Sequence, residues 1–395
     1  MEHLARRYEL SPVINLSGPL TMYGTSISSP VVAAATAEAL GQHWNMDELY
    51  QRSGELIARW SGTEAGVLTA CSASGVTLAV AACMTGSDLG RIGQLPDTTG
   101  MKSEVVIQKG HCVNFGAPIE QMIRLAGATV REVGTVNRTQ PFQIEHALGP
   151  QTAAAMFVVS HHTTQYGYVP LDAFVDLCHG HGVPVIVDAA AQDHQIERLV
   201  ASGADLIILS GQKYLSGPTA GIVCGRKDLV RAIYLHNAGI GRAMKIGKEG
   251  IFGTMAAIEE RMALDLNTWA VGQRAKAEAL ATRLQGLPGV AVSLELDRVG
   301  QPVTRVRLEI DPDHAGLSAE AICRELERST PSIKPRAHHT DEGWFLLEPV
   351  HVTEQEIEYT AERLRAIIAL PDREKAEIQA RVSGSRPDAF LAWLR

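Results

Sequence analysis

The chain has 395 residues, enough for two or three domains at roughly 150 residues each. Hydrophobic residues at 45% and charged residues at 20% exclude a disordered or fibrous chain. Thirty-six basic against 44 acidic residues leave a formal charge of −8, which argues against a general binder of nucleic acid or anionic membrane but leaves room for one basic pocket.

The opening MEHLARRYELSP lacks an apolar core of signal-peptide length, so the expected compartment is the cytoplasm. The first strand candidate is 65–70 (AGVLTA). It leads into 75–84 (GVTLAVAACM), the most apolar stretch, which at about half a membrane span reads as a buried helix. The Gly-rich, polar segment 86–100 reads as a flexible loop. Further strand candidates are 104–108 (EVVIQ), 128–133 (ATVREV), 154–160 (AAMFVVS), 183–187 (VPVIV), 205–209 (DLIIL) and 220–224 (AGIVC). Many are continuously apolar, as strands buried on both faces are. Between them, Ile119, Met122, Ile123 and Ala126 share one helical face, and Leu171, Phe174, Val175 and Cys178 another. Strand alternating with helix predicts a doubly wound α/β domain around a largely parallel sheet. Beyond Gly253 the pattern changes. One long helix over 254–284, a turn at Pro288-Gly289, strands at 290–296 and 303–310, a helix at 318–328, a strand at 344–347 and a helix at 353–369 predict a smaller α+β domain. The six cysteines form no CxxC pair and read as reduced thiols.

Ligands of open α/β sheets sit beyond the carboxyl ends of the strands, so the residues just after each run are the candidates. They are Cys71-Ser72-Ala73-Ser74-Gly75, Lys109-Gly110-His111, Ser160-His161-His162-Thr163-Thr164, Asp188-Ala189-Ala190-Ala191 and Ser210-Gly211-Gln212-Lys213. This set meets the demands of pyridoxal 5′-phosphate: an amine for a Schiff base (Lys213), a carboxylate for the pyridine nitrogen (Asp188) and a helix start for the phosphate (Ser72, Ala73, Ser74 and Gly75). Ser210 would reach the phosphate from the strand before the lysine, and His111 would stack on the ring. Each position also has a plain structural reading. An Asp after a strand caps helices, a loop Lys is solvated, and a lone His packs. Cys178-His179-Gly180-His181 has a metal-like look but no second ligand cluster, so no metal is expected. Gly239-Ile240-Gly241 lacks the third Gly of a dinucleotide fingerprint and follows no strand.

The run SGQKYLSGPTAGIVCGRKDL (210–229) resembles the lysine segment of fold-type-I pyridoxal phosphate enzymes. The resemblance is to the group containing bacterial selenocysteine synthase and D-glucosaminate-6-phosphate ammonia-lyase. Matching stretches occur in the same order: VINLSGPLTMYGTS (13–26), NMDELYQRSGELIARWSGTEAGVLTACSASG (45–75), IRLAGATVREVGTVNRT (123–139), HGVPVIVDAAAQ (181–192) and GRAMKIGKEGI (241–251). The resemblance implies a large domain with a mainly parallel seven-stranded sheet over 61–252 and a linking helix over 253–285. It also implies a small C-terminal α+β domain over 286–395 and an N-terminal segment, 1–60, that contributes to the site and to a homodimer or higher even oligomer. It puts Thr163 or Thr164 near the cofactor's phenolic oxygen and lets Gly253 and Thr254 reach a neighbouring subunit's site. Substrate would be held by Tyr23, Arg242, Lys245 and Lys248, with Arg336 or Arg307 for its carboxylate, because point charges recognise acidic groups.

Selenocysteine synthase carries an N-terminal extension for tRNA that has no counterpart before residue 13, so a small amino-acid substrate is expected. The tract MKIGKEGI and the MDEL at 46–49 point to the ammonia-lyase branch: α-proton abstraction, then β-elimination to a 2-keto acid and ammonia. A racemase or an aldolase needs the same carbanion, with His161, His162 or His111 as a second acid–base group. A non-catalytic cofactor-fold protein is the remaining alternative.

Overall fold

The computed structural model describes residues 2–382. Among them, twelve strands follow in order: β1 (Val13–Leu16), β2 (Ala65–Thr69), β3 (Glu104–Gln108), β4 (Thr129–Val133), β5 (Thr152–Val158), β6 (Val185–Asp188), β7 (Leu206–Ser210), β8 (Gly221–Gly225), β9 (Val290–Leu296), β10 (Thr304–Ile310), β11 (Ser332–Pro335) and β12 (Trp344–Leu347). Contacts divide the chain into two compact units. One is Ser26–Leu264 with Arg298–Gln301; the other takes the residues up to Thr25, Asp265–Asp297 and those from Pro302 on. Residues 26–60 thus join the first unit, whereas the sequence division set all of 1–60 apart. The last residues of the expected small domain, 383–395, lie outside the described residues.

The first unit holds a seven-stranded sheet in the order β2-β8-β7-β6-β5-β3-β4. Only β8 runs antiparallel to its neighbours, because it returns directly from β7 through the loop that bears Lys213. Alternate residues point to opposite faces. Val185, Val187, Ile207 and Leu209 enter one core, with Ile57, Phe174 and Ile258 from the covering helices. Ile186, Leu206 and Ile208 enter the other, with Val76 to Met84, Ile123 and Ile233. The helix Ser72–Thr85 lies inside this second core, which explains its apolar residues on every side.

Two expectations fail here. Segment 86–100 is not a plain loop: Asp88 accepts from the Gly90 and Arg91 N–H groups, starts the helix Leu89–Gln94, and Ile92 anchors it at 1% exposure. The long helix over 254–284 is two. Lys248–Ala263 ends at Leu264, and Asp265 caps a new helix, Leu266–Leu284, by accepting from the Asn267 and Thr268 N–H groups.

The second unit contains the antiparallel sheet β12-β10-β9 and a parallel pair, β1 with β11. Leu280, Leu284, Ile322, Leu326, Ile357 and Leu364 from its helices close one core over Val306, Leu308 and Phe345. No described helix is long and apolar enough to cross a membrane.

Candidate active site

The helix Ser72–Thr85 begins two residues after β2. Cys71, its cap, is extended; its Sγ accepts from the Ser74 N–H at 3.4 Å and its carbonyl from the Gly75 N–H at 3.0 Å. The Ser72 and Ala73 N–H groups have no acceptor within the helix, so the helix start presents donors and a positive dipole end. Two glycines make this close approach possible. A Cβ on Gly75 would sit 3.1 Å from Ile208 Cγ2, and one on Gly221 only 2.3 Å from the Cys71 carbonyl oxygen. Gly221 pairs with Thr69 on one side and Ser210 on the other, so β8 passes directly beneath the helix start. The 3₁₀ segment Ile240–Met244 is pinned nearby, since the Ala70 N–H donates to Met244 O at 3.0 Å; this is where the abortive dinucleotide pattern falls. Arg242 and Lys245 are exposed there, and neither forms a salt bridge among the described residues.

Asp188 is the last residue of β6 and is 7% exposed. Its Oδ1 accepts from the Ala190 N–H at 3.2 Å. Burial pushes its carboxyl pKa up, against the pull of the Lys213 ammonium and then of that N–H. Lys213 is half-buried on the next strand's loop. That loop is closed by Gly211 N–H to Ala220 O and Gly217 N–H to Gly211 O, both 2.8 Å. A Cβ on Gly217 would meet Gly211 O at 3.1 Å, so small residues are needed there. Ser210 donates its hydroxyl to Gln212 Oε1 at 2.9 Å.

His111 follows β3. Its Nδ1 accepts from the Val158 N–H at 3.1 Å, and Val158 is the residue opposite Asp188 in the sheet. Burial pushes its pKa down to about 4, so the ring is neutral with its proton on Nε2, an atom that is buried without a hydrogen-bond partner. The ring is 1% exposed, with Phe157 edge-on at 4.4 Å and Tyr168 at 5.4 Å. Neither neighbour stacks on the ring, and the whole imidazole, Nε2 included, is buried. After β5, Thr163 is buried and donates to Ser160 O at 2.8 Å, while Thr164 donates to Val136 O at 2.9 Å. The His161 and His162 rings lie 3.9 Å apart.

Several expected site residues also make contacts of their own within the chain. Thr254 is fully buried and donates to Gly250 O at 2.7 Å. A Cβ on Gly253 would lie 2.3 Å from Thr36 Oγ1. Thr254 thus bonds within its own helix, and Gly253 lets that helix approach the helix Pro30–Leu40. The Lys248 ammonium donates to the Leu40 and Gln42 carbonyls at the end of the helix Pro30–Leu40. In the second unit, Arg307 pairs with Glu295 and Glu309 and lies 3.9 Å over the Trp344 ring. Arg336 is 7% exposed, with its Nη1 3.6 Å from Glu348, so neither arginine is an unengaged anion receptor. Tyr23 ends a short 3₁₀ turn with the Lys334 ammonium 5.6 Å from its ring centre. His179 pairs with Asp205 at 2.8 Å, which accounts for half of the metal-like Cys-His-Gly-His run.

Sequence reasoning missed Gly221, Ser26 and Arg261. Ser26 Oγ donates to Gln212 O at 2.6 Å, and Arg261 donates to Tyr214 O at 2.5 Å, one on each side of Lys213. Only a strand-pairing register would have pointed to Gly221, and Arg261 carries no local signal. A buried acid holding one N–H, a helix start with unused donors and a buried, orphaned imidazole N–H fit an anionic, nitrogen-containing aromatic cofactor.

A family model described as "SelA: L-seryl-tRNA selenium transferase" matches residues 74–286. The chain is 37% identical to D-glucosaminate-6-phosphate ammonia lyase of Salmonella typhimurium, over 91% of this chain and 96% of that one. It is 38% identical to 5′-C-glycyluridine monooxygenase-decarboxylase of a Streptomyces species, over 90% of each. The solved structure of a D-glucosaminate-6-phosphate ammonia-lyase superposes with a TM-score of 0.84 at 36% identity, over 92% of this chain and 98% of that one. The chain therefore belongs to the SelA family, the selenocysteine-synthase-like group of fold-type-I pyridoxal phosphate enzymes.

Proposed function

We propose that the protein is a pyridoxal phosphate-dependent lyase of the ammonia-lyase type. Its substrate is an amino acid with an acidic or polyhydroxy side chain, which loses water across Cα and Cβ and then yields a 2-keto acid and ammonia. The carrying observation is the juxtaposition of buried Asp188 and half-buried Lys213 at adjacent strand ends, in a chain so similar over its length to an ammonia lyase.

When bound, the cofactor supplies an aldehyde for the substrate amine and an electron sink for the pair left at Cα. Lys213 holds the aldehyde before substrate arrives; its amine then takes the proton from Cα and returns one to the departing β-hydroxyl. Asp188 holds the pyridine nitrogen, and burial strengthens that contact. The N–H groups of Ser72 and Ala73 bind the phosphate, with Ser74 and Gly75 shaping the turn and Ser210 beside it. Thr163 and His111 Nε2 line the remaining polar edge. Arg242 and Lys245 attract the substrate's anionic tail. The dehydrated product, once released, takes up water and loses ammonia. A cytoplasmic homodimer is the form in which we expect it to act.

A panel of hydroxy amino acids, assayed for ammonia, keto acid, α-hydrogen exchange and chirality, tests this reading. Exchange with inversion but no keto acid would overturn it in favour of a racemase. The 38% identical monooxygenase-decarboxylase supports a second reading, oxidative decarboxylation at the same Cα. Oxygen uptake with carbon dioxide release would establish that one, and ammonia formation under argon would exclude it. Borohydride trapping followed by peptide mapping must label Lys213 in either case.

A further inference from the structure

We infer that Arg261 is a positioning residue for Lys213, a role that rests on Lys213 carrying the cofactor. Arg261 lies in the last turn of the helix Lys248–Ala263 with its side chain 11% exposed. Its Nη2 donates to Tyr214 O at 2.5 Å and lies 3.0 Å from Asp193 Oδ2. Asp193, its side chain 1% exposed, sits on the loop that follows Asp188. One guanidinium thus ties together the two loops that carry the acid and the amine.

The backbone around Lys213 shows why that tie matters. Three successive carbonyls are each held. Gln212 O accepts from Ser26 Oγ at 2.6 Å, Lys213 O from the Ser216 N–H at 3.0 Å, and Tyr214 O from Arg261. Holding both neighbouring peptide planes fixes the direction in which the Lys213 side chain leaves the backbone. Ser216 sits at φ 59°, a left-handed conformation that costs a non-glycine residue energy and persists only where neighbours over-determine it. Of the three donors, only Arg261 also reaches the acid's loop.

The chemistry requires an arginine. Burial lowers the Arg261 pKa while Asp193 raises it, and a buried ion pair adds little net stability over an apolar pair. Position is therefore what the pair contributes. A planar fork serves a carbonyl and a carboxylate together, which a lysine's point charge on a flexible stem does not. Arg261 Nη1 and both Asp193 carboxylate oxygens are buried without hydrogen bonds, so the 3.0 Å contact between the two side chains is an ion pair, and the guanidinium's hydrogen bond goes to Tyr214 O.

Two variants of the full chain test this: Arg261→Lys, and the double variant Arg261→Gln with Asp193→Asn, which removes both buried charges and so avoids leaving Asp193 unpaired. The readouts are cofactor affinity by titration of the apo protein, the rate of borohydride labelling of Lys213, and the pH midpoint of the bound chromophore. Both variants are expected to bind cofactor about tenfold more weakly, equivalent to ~1.4 kcal/mol, with slower labelling and a shifted midpoint, while the double variant keeps the wild-type melting temperature. Wild-type values of all three readouts in the double variant, or full rescue by Arg261→Lys, would overturn the role. Should the double variant not fold, Arg261→Lys decides on the same readouts. Labelling of a different lysine in the wild type is a separate failure, that of the Lys213 reading itself.

Discussion

Gly221→Ala is a one-carbon perturbation with a calculable consequence. The added Cβ would lie 2.3 Å from both the Cys71 carbonyl oxygen and Thr69 Oγ1, about 1.1 Å short of the 3.4 Å at which ordinary contact begins. Neither neighbour can yield freely. Thr69 is paired in β2, donates its hydroxyl to Cys71 O at 2.9 Å, and the Cys71 carbonyl also accepts from the Gly75 N–H. The strand must shift or the helix start must rise by close to an ångström. Overpacking of this kind costs about 1–3 kcal/mol, less the ~0.5–1 kcal/mol gained by removing a glycine from a strand. A misplacement of about 1 Å at reacting groups costs on the order of a hundredfold in rate. We expect a modest fall in melting temperature and a much larger loss of cofactor affinity, because the displaced atoms are those that would hold the phosphate. Parallel cofactor titrations and thermal melts, with Gly272→Ala as control, separate the two. Gly272 lies exposed within a helix with nothing within 4 Å of its Cβ position, so that variant should gain about 0.5–1 kcal/mol and bind cofactor normally. A Gly221→Ala protein that binds cofactor as tightly as the wild type would refute the location of the phosphate cradle.

Three further outcomes follow from buried charge. Asp188 has its pKa raised in the folded apo protein, so its contribution to stability is present below the ordinary carboxylate range and is lost as pH rises; Asp188→Asn should therefore melt higher than wild type as apo protein at neutral pH, yet fail to retain cofactor in dialysis. His111 and His194 are both pushed down to about 4, so the folded protein resists protonating them and apo stability should fall as pH drops from ~6.5 towards 4, by about 1.4 kcal/mol per pH unit for each histidine; denaturant titrations across that range, with a shallower slope in His111→Asn, check the sign. Arg305, 6% exposed at its side chain, contacts Asp297 at 2.9 Å and Glu348 at 2.6 Å, and Arg305→Met would take its charge from both buried carboxylates while Arg336 stays 3.6 Å from Glu348; the expected loss is about 3–5 kcal/mol in chemical denaturation, and an unchanged midpoint would mean the network carries no stability.

The large sheet was legible because its strands are buried on both sides: a run such as VPVIVD has no polar face to confuse with a helix, and all seven runs proved to be strands of one sheet. The strand β1 escaped because its partner β11 lies more than 300 residues away, and only tertiary pairing makes four residues such as VINL a strand. Asp88 and Asp265 are cap residues whose signals were in plain view but were outvoted by composition around them. Asp188 and Lys213 could be found because strand ends converge on one rim. The surroundings of the cations were hidden for the opposite reason. Nothing in the letters around Lys248 or Arg307 tells that one would meet helix-end carbonyls and the other a stacked Trp344 between two glutamates.

The parts of the site that the sequence revealed are also those least able to choose a reaction. A buried acid, a strand-end lysine and a helix start serve any chemistry that begins by weakening a bond at Cα, and relatives of 37% and 38% identity carry the names of a lyase and a monooxygenase-decarboxylase. Choice requires holding one Cα bond across the ring plane, and that needs groups placed around the substrate rather than around the cofactor. Arg242 and Lys245 can recognise a distant anionic group, but two exposed cations on a short 3₁₀ segment attract without fixing an angle. Rigid, short-range donors fix angles. His111 is placed as such a donor: its Nδ1 accepts from the Val158 N–H, which leaves the proton on Nε2, and Phe157 and Tyr168 pack beside the ring.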